Sequence, residues 1–133
     1  VLEEAHRYVQ NDTDVELIGY NIFERIAKEG RKYGVVLGLI SQRPSELSET
    51  TLSQCNNFLV FKMLHPRDIS YIHDMVPNVT DEIMKKIRVL QPGSCIAFGL
   101  AFKIPVIIQF KMPNPTPSSD SCDVSKIWFV TKR

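Results

Sequence analysis

Between Gly34 and Pro44 the chain runs Val35-Val36-Leu37-Gly38-Leu39-Ile40 and then turns abruptly polar at Ser41-Gln42-Arg43. A short, unbroken apolar run rich in β-branched residues is the pattern of a strand covered on both faces, as in parallel sheets flanked by helices. The preceding segment agrees. Ile18, Ile22, Phe23, Ile26 and Ala27 recur at helical spacing between about Val15 and Lys32, Asp12 and Asp14 offer N-caps, and Gly34 suits the C-terminal stop. Val1-Leu2 before Glu3-Glu4 reads as the end of another buried strand, and residues 10–14 as a polar loop.

Downstream, a short helix is expected around Glu46 to Gln54 and a third strand over Asn57 to Lys62. His65-Pro66 opens a helix to about Met75, and Thr80-Asp81-Glu82 caps another that runs to Leu90, where Pro92-Gly93 ends it. Ser94 to Leu100 and Ile104 to Phe110 are β-rich runs around a short Ala101-Phe102-Lys103 turn, which predicts a terminal antiparallel hairpin. The order of elements therefore predicts an α/β fold: a mainly parallel sheet with flanking helices and a C-terminal antiparallel hairpin. The core is expected to occupy residues 1–112. Residues 113–133 read as an extended Pro/Ser-rich tail whose apolar Lys126 to Val130 end either docks on a neighbour or covers the domain's own sheet.

Sixteen basic and 15 acidic residues leave a formal charge of +1, so no bulk field points to nucleic acid or a membrane, and any DNA contact must be local. Three widely spaced cysteines, Cys55, Cys95 and Cys122, favour a reducing, cytoplasmic compartment over a disulfide framework. No apolar run reaches the roughly 18 to 20 residues of a membrane span, and no signal segment opens the sequence.

Chemistry concentrates at two strand ends. Glu3 and Glu4 come directly after a buried strand, the placement that phosphoryl transfer with magnesium requires: one carboxylate holds the metal through water and the other orients or deprotonates the attacking water. A solvated strand end carries the same residues. Gln42 leaves the second strand toward the same edge if the two strands are neighbours, where an amide can donate to a γ-phosphate or accept from the attacking water; a plain turn before Pro44 is the other reading. Arg31 and Lys32 near a helix C-terminus are explained by the helix dipole, yet Arg31 could also reach a neighbouring subunit's nucleotide as an arginine finger. Arg43 competes for that role.

In order along the chain, VLEEAHRYV, IAKEGRKYGVVLGLISQRPSEL, TLSQCNNFLVFKM and PGSCIAFG resemble the ATPases of the HerA type, and the middle block also resembles FtsK-type DNA translocases. The resemblance covers residues 1–112. It implies the C-terminal half of a RecA-like P-loop NTPase domain, starting at the Walker B strand, within a homo-hexamer that uses ATP and Mg2+ to drive double-stranded DNA through a pore, beside a NurA-like nuclease. By the same resemblance Glu3 is the magnesium residue, Glu4 the water-activating one, Gln42 the sensor, and Arg31 the finger or nucleotide-contacting arginine; His6 aligns with the histidine that often follows the acidic pair, or simply packs beside the loop. Glu3 departs from the commoner aspartate. No G-x-x-x-x-G-K-[ST] phosphate loop occurs in these 133 residues, so the segment alone is expected to be inactive; the resemblance puts that loop upstream, and a sheet edge exposed beside Val1-Leu2 predicts self-association of the fragment. A non-catalytic RecA-like oligomerisation module and a conjugation-type ATPase are the alternatives.

Overall fold

Ser94-Cys95-Ile96-Ala97-Phe98 is buried along its whole length, so it forms the centre of the sheet rather than an edge. The computed structural model describes residues 1–10, 22–76 and 79–116. Strand β2 (Ser94–Gly99) lies between β1 (Asn57–Phe61) and β3 (Val106–Gln109), antiparallel to both. The register puts Phe58 opposite Phe98, and the two rings stack with centroids 5.4 Å apart. Such an aromatic cross-strand pair favours this register over a one-residue slip, which would turn every side chain to the other face.

Among the described residues four α-helices accompany the sheet: α1 (Ile22–Glu29), α2 (Glu49–Ser53), α3 (Pro66–Met75) and α4 (Asp81–Arg88). Helices α2, α3 and α4 supply Leu52, Ile69, Ile72, Met84 and Ile87 to one core, where they join Val60, Ile96 and Phe98 from the sheet and Ala5 and Val9 from the N-terminal segment. Helix α1 passes into a 3-10 turn over Gly30–Tyr33, and Gly34 ends it in the left-handed conformation, φ 69°, as its position predicts. Ser48 caps α2 by accepting from the Thr51 amide. The polar loop beyond Gln10, the caps at Asp12 and Asp14, the expected start of the first helix and the tail after residue 116 lie outside the described residues.

Three expectations change. The sheet is antiparallel, and among the described residues parallel pairing is confined to an isolated bridge, Leu2 with Leu39. The chain leaves β1 through two helices and returns as β2 in the opposite direction, a route that an apolar run cannot specify because burial is the same for either direction. The run at 35–40 is also less covered than its composition predicts, with Val36 91% and Val35 49% exposed. Neither this run nor Val1-Leu2 forms a strand among the described residues; Leu2 and Leu39 meet only in the isolated parallel bridge. Thr80 does stand at the N-cap of α4, but its side chain accepts no hydrogen bond from the helix.

Cys95 is fully buried and Cys55 partly so; both are free thiols, and burial pushes both thiol pKa values up. A thiol kept protonated by the fold contributes stability that is complete below the unfolded thiol pKa of about 8.5 and is lost as pH rises through the higher folded value. Iodoacetamide at about pH 8, just below that value, should therefore modify both slowly in the native chain and rapidly in urea. Rapid native labelling of Cys95 would contradict its burial.

Candidate functional site

Two chain segments are laced side by side at the N-terminal end of the molecule. The Leu2 amide donates to the Gly38 carbonyl at 2.8 Å, the Ile40 amide to Leu2 at 2.8 Å, and the Ala5 amide to Ile40 at 2.9 Å. This ladder fixes the relative position of the residues just beyond Leu2 and Ile40. Those residues are Glu3-Glu4 on one side and Ser41-Gln42-Arg43 on the other.

Glu4 adopts φ 50°, ψ 46°, the sole positive φ of a non-glycine residue among those described. A residue with a Cβ gives up about 1 to 2 kcal/mol to sit there, and the neighbouring Ala5–Ile40 hydrogen bond holds the turn in place. Across the gap the Gln42 amide nitrogen donates to Glu4 Oε1 at 3.0 Å. The other carboxylate oxygen, Oε2, lies 3.5 Å from His6 Nδ1, and that nitrogen lies 3.1 Å from Ser41 Oγ. Ser41 Oγ in turn accepts from the Arg43 amide at 3.0 Å. Glu4 is thus held from both sides, by an amide and by an imidazole whose side chain is only 14% exposed.

The remaining candidates are placed apart. Glu3 is exposed and makes no hydrogen bond or ion pair among the described residues. Arg43 is engaged by Glu46 instead of hydrogen-bonding Glu4: its Nη1 donates to Glu46 Oε1 at 2.8 Å, and that carboxylate raises the guanidinium pKa still further, so Arg43 stays charged and tied locally. Arg31 sits exposed in the 3-10 turn after α1 and makes no side-chain hydrogen bond or ion pair among the described residues. His6 and Ser41 close the hydrogen-bonded set around Glu4. Of these His6 was visible in the sequence only as a neighbour of the acidic pair, and Ser41 carried no signal at all, since its part depends on a contact 35 residues away.

No group of three or more His, Cys, Asp or Glu side chains able to cage a metal occurs among the described residues. A lone exposed carboxylate such as Glu3 fits Mg2+ nevertheless, because that ion keeps much of its water and takes one or two carboxylates plus substrate phosphates. Beside Gln42 opens a cleft of about 400 Å³ lined by Arg43, Ser45, Glu46, His65, Arg67 and Asp68. Among the described residues no helix is long and apolar enough to cross a membrane.

No protein-family profile matches the sequence. Individual proteins do. A probable helicase of Methanocaldococcus jannaschii is 39% identical over 111 residues, which is 84% of this chain and 21% of that protein. The DNA double-strand break repair helicase HerA of Pyrococcus furiosus is 36% identical over 109 residues, 82% of this chain and 19% of the helicase. HerA of Saccharolobus solfataricus is 36% identical over 112 residues, 84% and 22% of the two chains. The chain thus spans about a fifth of the length of these relatives. In fold it matches the genome packaging NTPase B204 of Sulfolobus turreted icosahedral virus 2, solved in complex with ATP-gammaS, with a TM-score of 0.64 at 16% identity over 79% of this chain and 48% of the other. The fold is therefore that of part of a packaging NTPase, and over most of its own length this chain is homologous to the HerA DNA double-strand break repair helicases.

Proposed function

We propose that this chain is the water-activating part of a HerA-type, ATP-driven double-stranded DNA translocase, the C-terminal half of a RecA-like ATPase domain whose phosphate-binding loop belongs to the rest of a longer polypeptide. The observation that carries the reading is the 3.0 Å contact between Gln42 and Glu4 across two neighbouring, hydrogen-bonded segments. An amide that holds a carboxylate can also detect what the carboxylate is bonded to. Glu4 accepts a proton from, or aligns, the water that attacks the γ-phosphate, while Gln42 donates either to Glu4 or to the phosphate. His6 and Ser41 keep the Glu4 carboxylate from swinging away.

Glu3 would hold Mg2+ through its waters, and the ion supplies charge neutralisation at the phosphates. Arg31 is the better finger of the two arginines, because Arg43 is already engaged by Glu46. A finger acts across a subunit boundary, so this reading includes a homo-hexameric ring, with double-stranded DNA in its pore and a NurA-like nuclease as companion.

The test is ATP turnover of the intact polypeptide, measured with and without double-stranded DNA. Turnover stimulated severalfold by DNA is expected. Absent turnover would favour a non-catalytic RecA-like oligomerisation module, and turnover indifferent to DNA would remove the translocase half of the reading.

A further inference from the structure

The loop that carries Gln42 is anchored at its far end by a helix that contributes nothing to the proposed chemistry directly. After Arg43 the chain makes one 3-10 turn, Pro44–Glu46, closed by the Glu46 amide on the Arg43 carbonyl at 3.1 Å and the Leu47 amide on Pro44 at 3.1 Å. A single turn of this kind is too short to be stable alone. Helix α3 grips it twice. The Asp68 carboxylate, 6% exposed, accepts from the Ser45 amide through Oδ1 at 3.1 Å, and the Tyr71 hydroxyl donates to the Leu47 carbonyl at 2.9 Å.

Asp68 is one of four buried polar residues among those described, and burying a carboxylate without partners is costly. Its partners are the Ser45 amide and, 3.4 Å from Oδ2, His65 Nδ1. It lines the same cleft as Gln42 and Arg43. Within the loop Arg43 ties to Glu46 through its side chain and to Ser41 through its amide. The 41–47 loop is thus fastened to Glu4 at one end and to α3 at the other. Nothing in the ATPase chemistry calls for a buried acid at position 68.

We infer that Asp68 is a positioning residue: by holding the Ser45 amide it keeps the 41–47 loop in the one arrangement that leaves Gln42 hydrogen-bonded to Glu4. The inference rests on the reading of Glu4 and Gln42 given above, and two measurements separate the failure of one from the failure of the other.

In the 133-residue chain the Gln42 side-chain amide signals report the Glu4 contact, with Glu4→Ala giving the signal of a free amide. Asp68→Ala should move the Gln42 signal most of the way to that free value. Asp68→Asn, which keeps an acceptor for the Ser45 amide, should leave it near its original position. A Gln42 signal unmoved by Asp68→Ala, or moved equally by both substitutions, overturns the clamp. In the intact polypeptide Asp68→Ala should lower kcat about 10- to 100-fold, the scale of a small misplacement at a reacting centre, with KM for ATP within about threefold and with Asp68→Asn restoring most of the loss. A fall in affinity with kcat unchanged contradicts the positioning role. If Gln42→Ala leaves turnover intact, the ATPase reading of this edge is lost, whatever the amide signals show about the clamp.

Discussion

Glu4→Gln in the intact polypeptide is expected to lower ATP turnover by about two to four orders of magnitude, the range attributed to a general base, while leaving ATP binding nearly unchanged. The substitution is informative because it disturbs little else. Glutamine keeps the length of the side chain and presents an amide oxygen that can still accept from Gln42 Nε2, which lies 3.0 Å from Glu4 Oε1. It loses basicity and its charge. The left-handed backbone at Glu4 is held by hydrogen bonds of the main chain, so it does not depend on the carboxylate. A variant that binds nucleotide and does not turn it over would place Glu4 at the chemistry. Turnover within about threefold of the parent would sink that assignment, since no positioned base is worth so little.

Gly99→Ala is expected to destabilise the chain by about 3 kcal/mol or more, from a strained backbone conformation together with overpacking. Gly99 ends β2 at φ 127°, and a Cβ built there would stand 2.2 Å from the Asn56 carbonyl oxygen and 2.7 Å from the Asn57 Cα. Both obstacles are backbone, which has no rotamer by which to yield. Moving Asn56 would break the 2.9 Å hydrogen bond from Leu100 to its carbonyl and disturb the Asn57–Gly99 pair that ends the β1–β2 register. Gly34→Ala is the control. There φ is 69° with nothing within 4 Å, so only the left-handed penalty of about 1 to 2 kcal/mol applies. Urea unfolding of both variants measures the difference, and a Gly99→Ala no less stable than Gly34→Ala would show that the strand end can relax around the added methyl.

Helix positions and three of the five expected strands were legible in the sequence because they arise from local periodicity, whereas Val1-Leu2 and 35–40 meet only in an isolated bridge. The Pro66–Met75 helix, the Asn57–Phe61 strand and the Ser94–Gln109 hairpin stand close to where apolar spacing and Gly/Pro punctuation put them. Gly34 as a helix stop is equally local, a matter of one residue able to take positive φ. The candidate site was half legible: an acidic pair after one apolar run and a glutamine after another could be recognised, and their meeting could be stated only as conditional on the two runs being neighbours.

By itself the sequence determined which residues are apolar, at what period, and where runs end in carboxylates or amides; these fix element type and the chemistry available at each strand end. The tertiary structure decided which elements pair and in what direction. Burial lowers free energy equally for parallel and antiparallel partners, so β1 could join β2 against the parallel expectation, and Val36 could remain exposed where no described strand covers it. It also decided which polar groups found one another. Arg43 went to Glu46, Asp68 to the Ser45 amide, and His6 to Ser41 and Glu4. Such pairs depend on distances of a few ångströms between side chains, and where their members are 23 or 35 residues apart only the packed chain brings them within reach.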